Sequence, residues 1–170
     1  MSTVVPPAIA VLEFDSIAAG MLAADAMVKN APIETFRIGT VHPGKYIVLV
    51  GGAVAAVDVS HREGLRAGGD HVIDEIFLPD VHPRVRSAIE GECCADAGDA
   101  LGIIETSAIP TNVAAADKAI KTADVIIVEI RLGDGLGEAA TEVPRRDGGR
   151  DPLALGERDR EVSRPRGLRR

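Results

Sequence analysis

The sequence predicts an α+β chain in which a β-α-β-β-α-β unit is followed by a partial copy of itself. Three observations carry this: an ungapped internal repeat, an ordered change of hydrophobic period, and an apolar composition with almost no aromatics. Residues 9–40 align with residues 101–132 at an offset of 92 without a gap. Glu13 meets Glu105, Ile17 meets Ile109, and Ala23-Ala24-Asp25 meets Ala115-Ala116-Asp117. Lys29 then meets Lys121, Ala31 meets Ala123 and Ile38 meets Ile130. Such a run of identities in one register marks a duplicated unit.

The elements of the first unit follow from the periodicity. Ala8–Phe14 is a short apolar run, fit for a strand. Asp15 and Ser16 offer N-cap oxygens, and Ile17, Gly20, Met21, Ala24 and Val28 recur at three- and four-residue spacing, an amphipathic helix with a small-residue face. Residues 33–41 and 46–50 read as strands joined by the tight turn His42-Pro43-Gly44-Lys45. Gly51-Gly52 breaks the chain before a second helix over Val54–Gly68. Val72–Leu78 reads as a strand, and residues 82–90 as a short helix. This order is the ferredoxin-like arrangement.

Residues 8–91 thus form a first domain and residues 92–100 a linker. The second unit repeats a strand (101–105), a helix (107–122) with Ile109, Val113, Ala116 and Ile120 on one face, and a strand (125–132). Its pattern collapses after Gly137, so the partial second domain spans residues 101–137. Residues 138–170 are rich in Arg, Asp, Pro and Gly and read as an atypical, disordered tail. Two explanations of the abrupt change stand side by side: a shift of reading frame, or a genuine tail that binds an acidic partner or enzyme cargo.

Composition excludes several classes. With 46% apolar residues, 2% aromatics and no Trp, the core is built from Ala, Val, Ile and Leu, and base stacking on aromatic rings has no material. The net charge of −7 opposes binding to a phosphate backbone. Residues 1–137 hold 10 basic and 19 acidic side chains, residues 138–170 hold 9 and 7, so body and tail differ in sign. The opening residues are short and uncharged and do not read as a secretory leader. No apolar stretch approaches the roughly 18 residues of a membrane helix. Adjacent Cys93 and Cys94 are no disulfide framework and read as linker thiols of a reduced cytoplasmic protein.

Candidate chemistry is sparse. Gly133-x-Gly135-x-Gly137 lacks the βαβ context of a nucleotide-binding turn, and Gly51-Gly52 reads as a packing feature before an anion site. His61 falls on the apolar phase of its helix, where a partly buried imidazole is expected. No serine sits in a nucleophile turn and no acids are paired, so no catalytic residue is assigned and the chain does not read as an enzyme.

The first unit resembles a bacterial microcompartment domain. The carrying motifs are Glu13-Phe14-Asp15-Ser16-Ile17-Ala18-Ala19-Gly20, Ala23-Ala24-Asp25-Ala26-Met27-Val28-Lys29, Pro43-Gly44-Lys45 leading into Val50-Gly51-Gly52, and Leu78-Pro79-Asp80-Val81-His82. With the partial second copy, the chain is most similar to tandem shell proteins of the propanediol-utilisation type. The resemblance implies a homotrimer of two-domain chains, a flat pseudo-hexameric tile in a cytoplasmic microcompartment shell. Its implied partners are other shell proteins and encapsulated enzymes, with no nucleic acid and no membrane. It places Lys29, Lys121 and His82 at the tile edge, and it points Thr40, Val41, His42, Pro43 and Gly44, with Gly133, Asp134 and Gly135 of the second unit, at a central pore. In some tandem relatives a cysteine in this turn holds an iron–sulfur cluster. His42 stands there instead, which argues against such a cluster because thiolate is its usual ligand. His42 remains a candidate metal ligand or a pH-dependent pore residue. Two other readings stay open: a trimeric ferredoxin-like regulator that binds a small molecule, and a metal-bearing electron-transfer pore protein.

Overall fold

Two sheets organise the chain, the second repeating the order of three of the four strands of the first. The computed structural model describes residues 7–94, 100–133 and 139–145. The first unit runs β1 (Ala8–Phe14), α1 (Ile17–Asn30), β2 (Thr35–Val41), β3 (Lys45–Gly52), α2 (Val54–Gly68), β4 (Val72–Leu78) and α3 (Pro83–Ile89). Its antiparallel sheet has the order β2-β3-β1-β4, which is the ferredoxin-like arrangement. The second unit contains β5 (Ala100–Thr106), α4 (Ile109–Thr122), β6 (Glu129–Leu132) and β7 (Ala139–Arg145), in the sheet order β5-β7-β6. These are the counterparts of β1, α1, β2 and β3. Among the described residues, α2 and β4 have no counterpart.

β7 corrects the boundary read from the sequence. The second unit continues past Gly137, and residues 139–145 of the expected disordered tail form its central strand. The segment Ala-Ala-Thr-Glu-Val-Pro-Arg has no apolar run to announce a strand, and Pro144 removes one ladder donor. Pairing from β5 on one side and β6 on the other outweighs this weak local preference. The remaining tail, residues 146–170, lies outside the described residues. β5 and α4 follow β1 and α1 by 92 residues. Glu142 pairs with Glu129 where Leu49 pairs with Arg37, so β7 follows β3 by 93. The connection ahead of β7 is therefore one residue longer than its counterpart.

Two other bounds differ from the sequence reading. β6 starts at Glu129, because the carbonyls of Ile127 and Val128 accept from the Arg84 guanidinium at 2.7 and 2.9 Å. β3 continues through Gly51-Gly52, where no break occurs. A Cβ on Gly51 would lie 3.0 Å from Arg86 Nη1, so the glycine makes room for that side chain.

Residues of β1 alternate between two cores, as the period of two in a strand dictates. Ala8, Ala10, Leu12 and Phe14 pack under α1 and α2 with Ala23, Met27 and Val57. Ile9 and Val11 face the other way, and with Ile47 and Leu49 they meet Val85 and Ile89 of α3 and Ile109, Val113 and Ala116 of α4. The second core therefore belongs to both units.

Helix α1 turns Gly20, Ala23, Ala24 and Met27 inward. Ile17, Met21 and Val28, which the sequence pattern put on the same face, lie instead on its exposed flank. His61 is buried as expected, bonded through Nε2 to Glu75 at 2.5 Å and stacked on Phe77.

A Cβ on Gly20 would lie 2.5 Å from Tyr46 Cδ1 and 3.0 Å from Tyr46 Cβ, so α1 sits close on β3 only because the residue is glycine. Gly20→Ala is expected to lower the urea midpoint by an amount equivalent to about 1–3 kcal/mol, with the slope unchanged.

Candidate functional site at the joint between the two units

Helix α4 starts without a cap of its own. Its N-cap residue is Ala108, and no side chain of its own caps it. A helix N-terminus leaves several backbone donors to satisfy, and the first unit satisfies two of them. Glu13 Oε2 accepts from the backbone N–H of Ile109 at 2.8 Å. Asp74 Oδ2 accepts from the backbone N–H of Thr111 at 2.9 Å and from its hydroxyl at 2.7 Å.

Glu13 is buried, and its other oxygen pairs with Lys45 Nζ at 2.9 Å. Lys45 also donates to the carbonyl of Ser107 at 3.0 Å. A lone carboxylate in this position would be strongly unfavourable. The ammonium and the positive end of the helix dipole offset that cost.

The far end of α4 is fastened as well. Asp117 accepts from the backbone N–H of His82 at 2.8 Å and from Lys121 Nζ at 2.6 Å, and Lys121 also donates to the carbonyl of Asp80. Arg84 on α3 spans the linker, donating to the carbonyls of Glu92, Ile127 and Val128 and to Ser87 Oγ. Arg86 donates to the carbonyl of Ala8 at 3.2 Å. Burial pushes its guanidinium below the usual arginine range, and the charges of Glu90 and Glu34 oppose that shift.

Lys121 and His82 thus stand beside each other within the chain, at the joint. Lys29 is exposed and pairs with Asp25 at 2.7 Å. Thr40, His42, Pro43 and Gly44 are exposed at the turn between β2 and β3, with Gly44 at a φ of 76°. Val41 and Gly133 are buried against each other: a Cβ on Gly133 would lie 3.3 Å from Val41 Cβ. The ends of the two turns therefore abut. Asp134 and Gly135 lie outside the described residues. Cys93 and Cys94 are free thiols at the linker, and the Cys94 N–H donates to the carbonyl of Val128. Among the described residues, no group of three or more His, Cys, Asp or Glu side chains is arranged to hold a metal ion, and no helix is long and apolar enough to cross a membrane.

The sequence reading missed Glu13, Asp74 and Arg84. Glu13 had a signal: it is a charge inside an apolar strand run, and it recurs at Glu105. Asp74 and Arg84 have none, because their partners lie some 40 residues away.

The surface repeats both halves of this joint, unjoined. On the helix half, Ile109 and Val113 are 3% and 0% exposed, while their counterparts Ile17 and Met21 are 42% and 57% exposed. On the sheet half, Ile9 and Val11 are 1% and 0% exposed, while Leu101 and Ile103 are 59% and 63% exposed. The covered pair and the uncovered pair have the same chemistry.

A family model described as BMC domain matches residues 8–81 and again residues 100–143. The chain belongs to the BMC domain family, among the shell proteins that carry the domain in tandem. It is 38% identical over 130 residues to the bacterial microcompartment shell protein PduT of Citrobacter freundii, covering 76% of this chain and 71% of that protein. A crystal structure of a microcompartments protein from Desulfitobacterium hafniense superposes with a TM-score of 0.72 at 43% identity, covering 82% of this chain and 78% of that one.

Removing the Glu13 carboxylate leaves Lys45 and the start of α4 without their acceptor. Glu13→Ala is expected to lower the free energy of unfolding by about 3 kcal/mol, read from urea titration at neutral pH. A loss under about 1 kcal/mol would mean that water replaces the carboxylate at this joint.

Proposed function

We propose that this shell protein works as a homotrimer whose six units form a flat, pseudo-hexameric tile around a central pore. One observation carries the reading: the chain contains one finished joint between units and exposes both halves of a second. Three copies placed head to tail would cover Ile17 and Met21 of each chain with Leu101 and Ile103 of the next. A heterologous contact of this kind gives a closed ring when its rotation closes and a filament when it does not. Two units related by about a sixth of a turn close after three chains. Covering each of these four side chains is worth roughly 1–2 kcal/mol.

In that ring the turn residues Thr40–Gly44 and Gly133 face the centre, an arrangement supported by the contact between Val41 and Gly133. Thr40, His42, Pro43 and Gly44 line the passage for small metabolites. Lys29, exposed beside Asp25, serves contacts between neighbouring tiles and other shell proteins. The tile's role is to enclose enzymes and filter solutes, with no chemistry of its own. The donor set of the first turn, one imidazole without a thiol, does not fit an iron–sulfur cluster.

Sedimentation equilibrium on the full chain tests the ring. The expected species has three times the 17.7 kDa chain mass, and Ile103→Asp converts it to a folded monomer. A wild-type protein that stays monomeric at tens of micromolar would sink the proposal.

A further inference from the structure

We infer that Glu105 locks each contact between copies by accepting a hydrogen bond from the backbone N–H of Ile17 in the neighbouring copy. This rests on the ring reading above and adds to it a single polar anchor. Glu105 is the counterpart of Glu13, 92 residues on, and Ile17 is the counterpart of Ile109. Within the chain, Glu13 Oε2 holds the Ile109 N–H at 2.8 Å, with Lys45 on its other oxygen. No lysine stands at the matching position of the second unit, so at the repeated joint the charge of Glu105 would be offset by the start of α1 alone. Glu105 lies on the exposed face of β5 that carries Leu101 and Ile103.

The capping of the two helices differs in a way that fits this assignment. In α4 the third amide, Thr111 N–H, is taken by Asp74 on β4 of the other unit. In α1 the third amide, Ala19 N–H, is taken by that helix's own Ser16 Oγ at 3.3 Å. Among the described residues, the second unit has no β4 counterpart to supply an Asp74. Helix α1 thus provides for itself the acceptor that its neighbour lacks. The first amide, Ile17 N–H, has no acceptor among the described residues. Asp15, the nearest carboxylate in sequence, is turned toward His71 Nδ1 at 2.8 Å. Ile17 N–H and Ala18 N–H thus remain on the first turn of α1, and the first of them is the one that a Glu at position 105 would reach if the joint repeats. The second has no counterpart on α4, where Pro110 carries no N–H.

The test compares wild type, Glu105→Gln and Glu105→Ala by sedimentation equilibrium over a dilution series, with hydrogen exchange read at the Ile17 amide. Glu105→Ala is expected to raise the concentration of half-dissociation at least about tenfold, without change in circular dichroism. Glu105→Gln should fall between the two, because its carbonyl still accepts. The Ile17 amide should gain protection on assembly in wild type and lose that gain in Glu105→Ala. A wild-type trimer whose Ile17 amide gains no protection, or an alanine variant that dissociates at the wild-type concentration, overturns the lock and leaves the ring standing. A wild type that is monomeric throughout removes both.

Discussion

The position of the second unit on the first depends on one buried carboxylate. Glu13 sits at the end of the central strand, with one oxygen on the first amide of α4 and the other on Lys45. Around it the apolar faces of β1, β3 and α4 supply contact but little direction, since the hydrophobic effect is largely non-directional. The carboxylate, Asp74 and Arg84 are directional, and they convert a greasy contact into a defined angle between units. That angle decides whether repeated copies close or spiral.

Much of the first unit was legible because its signals are local. Strand β1 is apolar apart from Glu13, Ser16 caps α1 as its chemistry requires, and the small residues of α1 mark close packing on β3. The pattern misled where a helix has two apolar flanks. Ile17, Met21 and Val28 share a period with Gly20 and Ala24, yet period alone cannot separate a face that meets its own sheet from one that stays outside it. Comparison of the repeats separates them, because the same stripe on α4 is buried.

β7 was illegible for the opposite reason. Its sequence carries Glu142 and Pro144 where β3 carries Leu49 and Gly51, so neither alternation nor propensity reports a strand. It exists through its neighbours. The joint residues were hidden in the same way: Asp74 and Arg84 act on backbone groups of another unit, and backbone groups leave no mark in a sequence. Lys121 was legible as a repeat of Lys29, but not as a residue held within the chain.

Duplication has relaxed the identity of the two turns. The connection before β7 is one residue longer than that before β3, and no histidine stands at the position matching His42. A ring built from this chain would therefore surround its axis with two kinds of lip in alternation. Three imidazoles, one from each chain, would stand around that axis. A solute would meet a polarity that repeats each third of a turn, and where Val41 packs on Gly133 a change in one lip would be felt by the other.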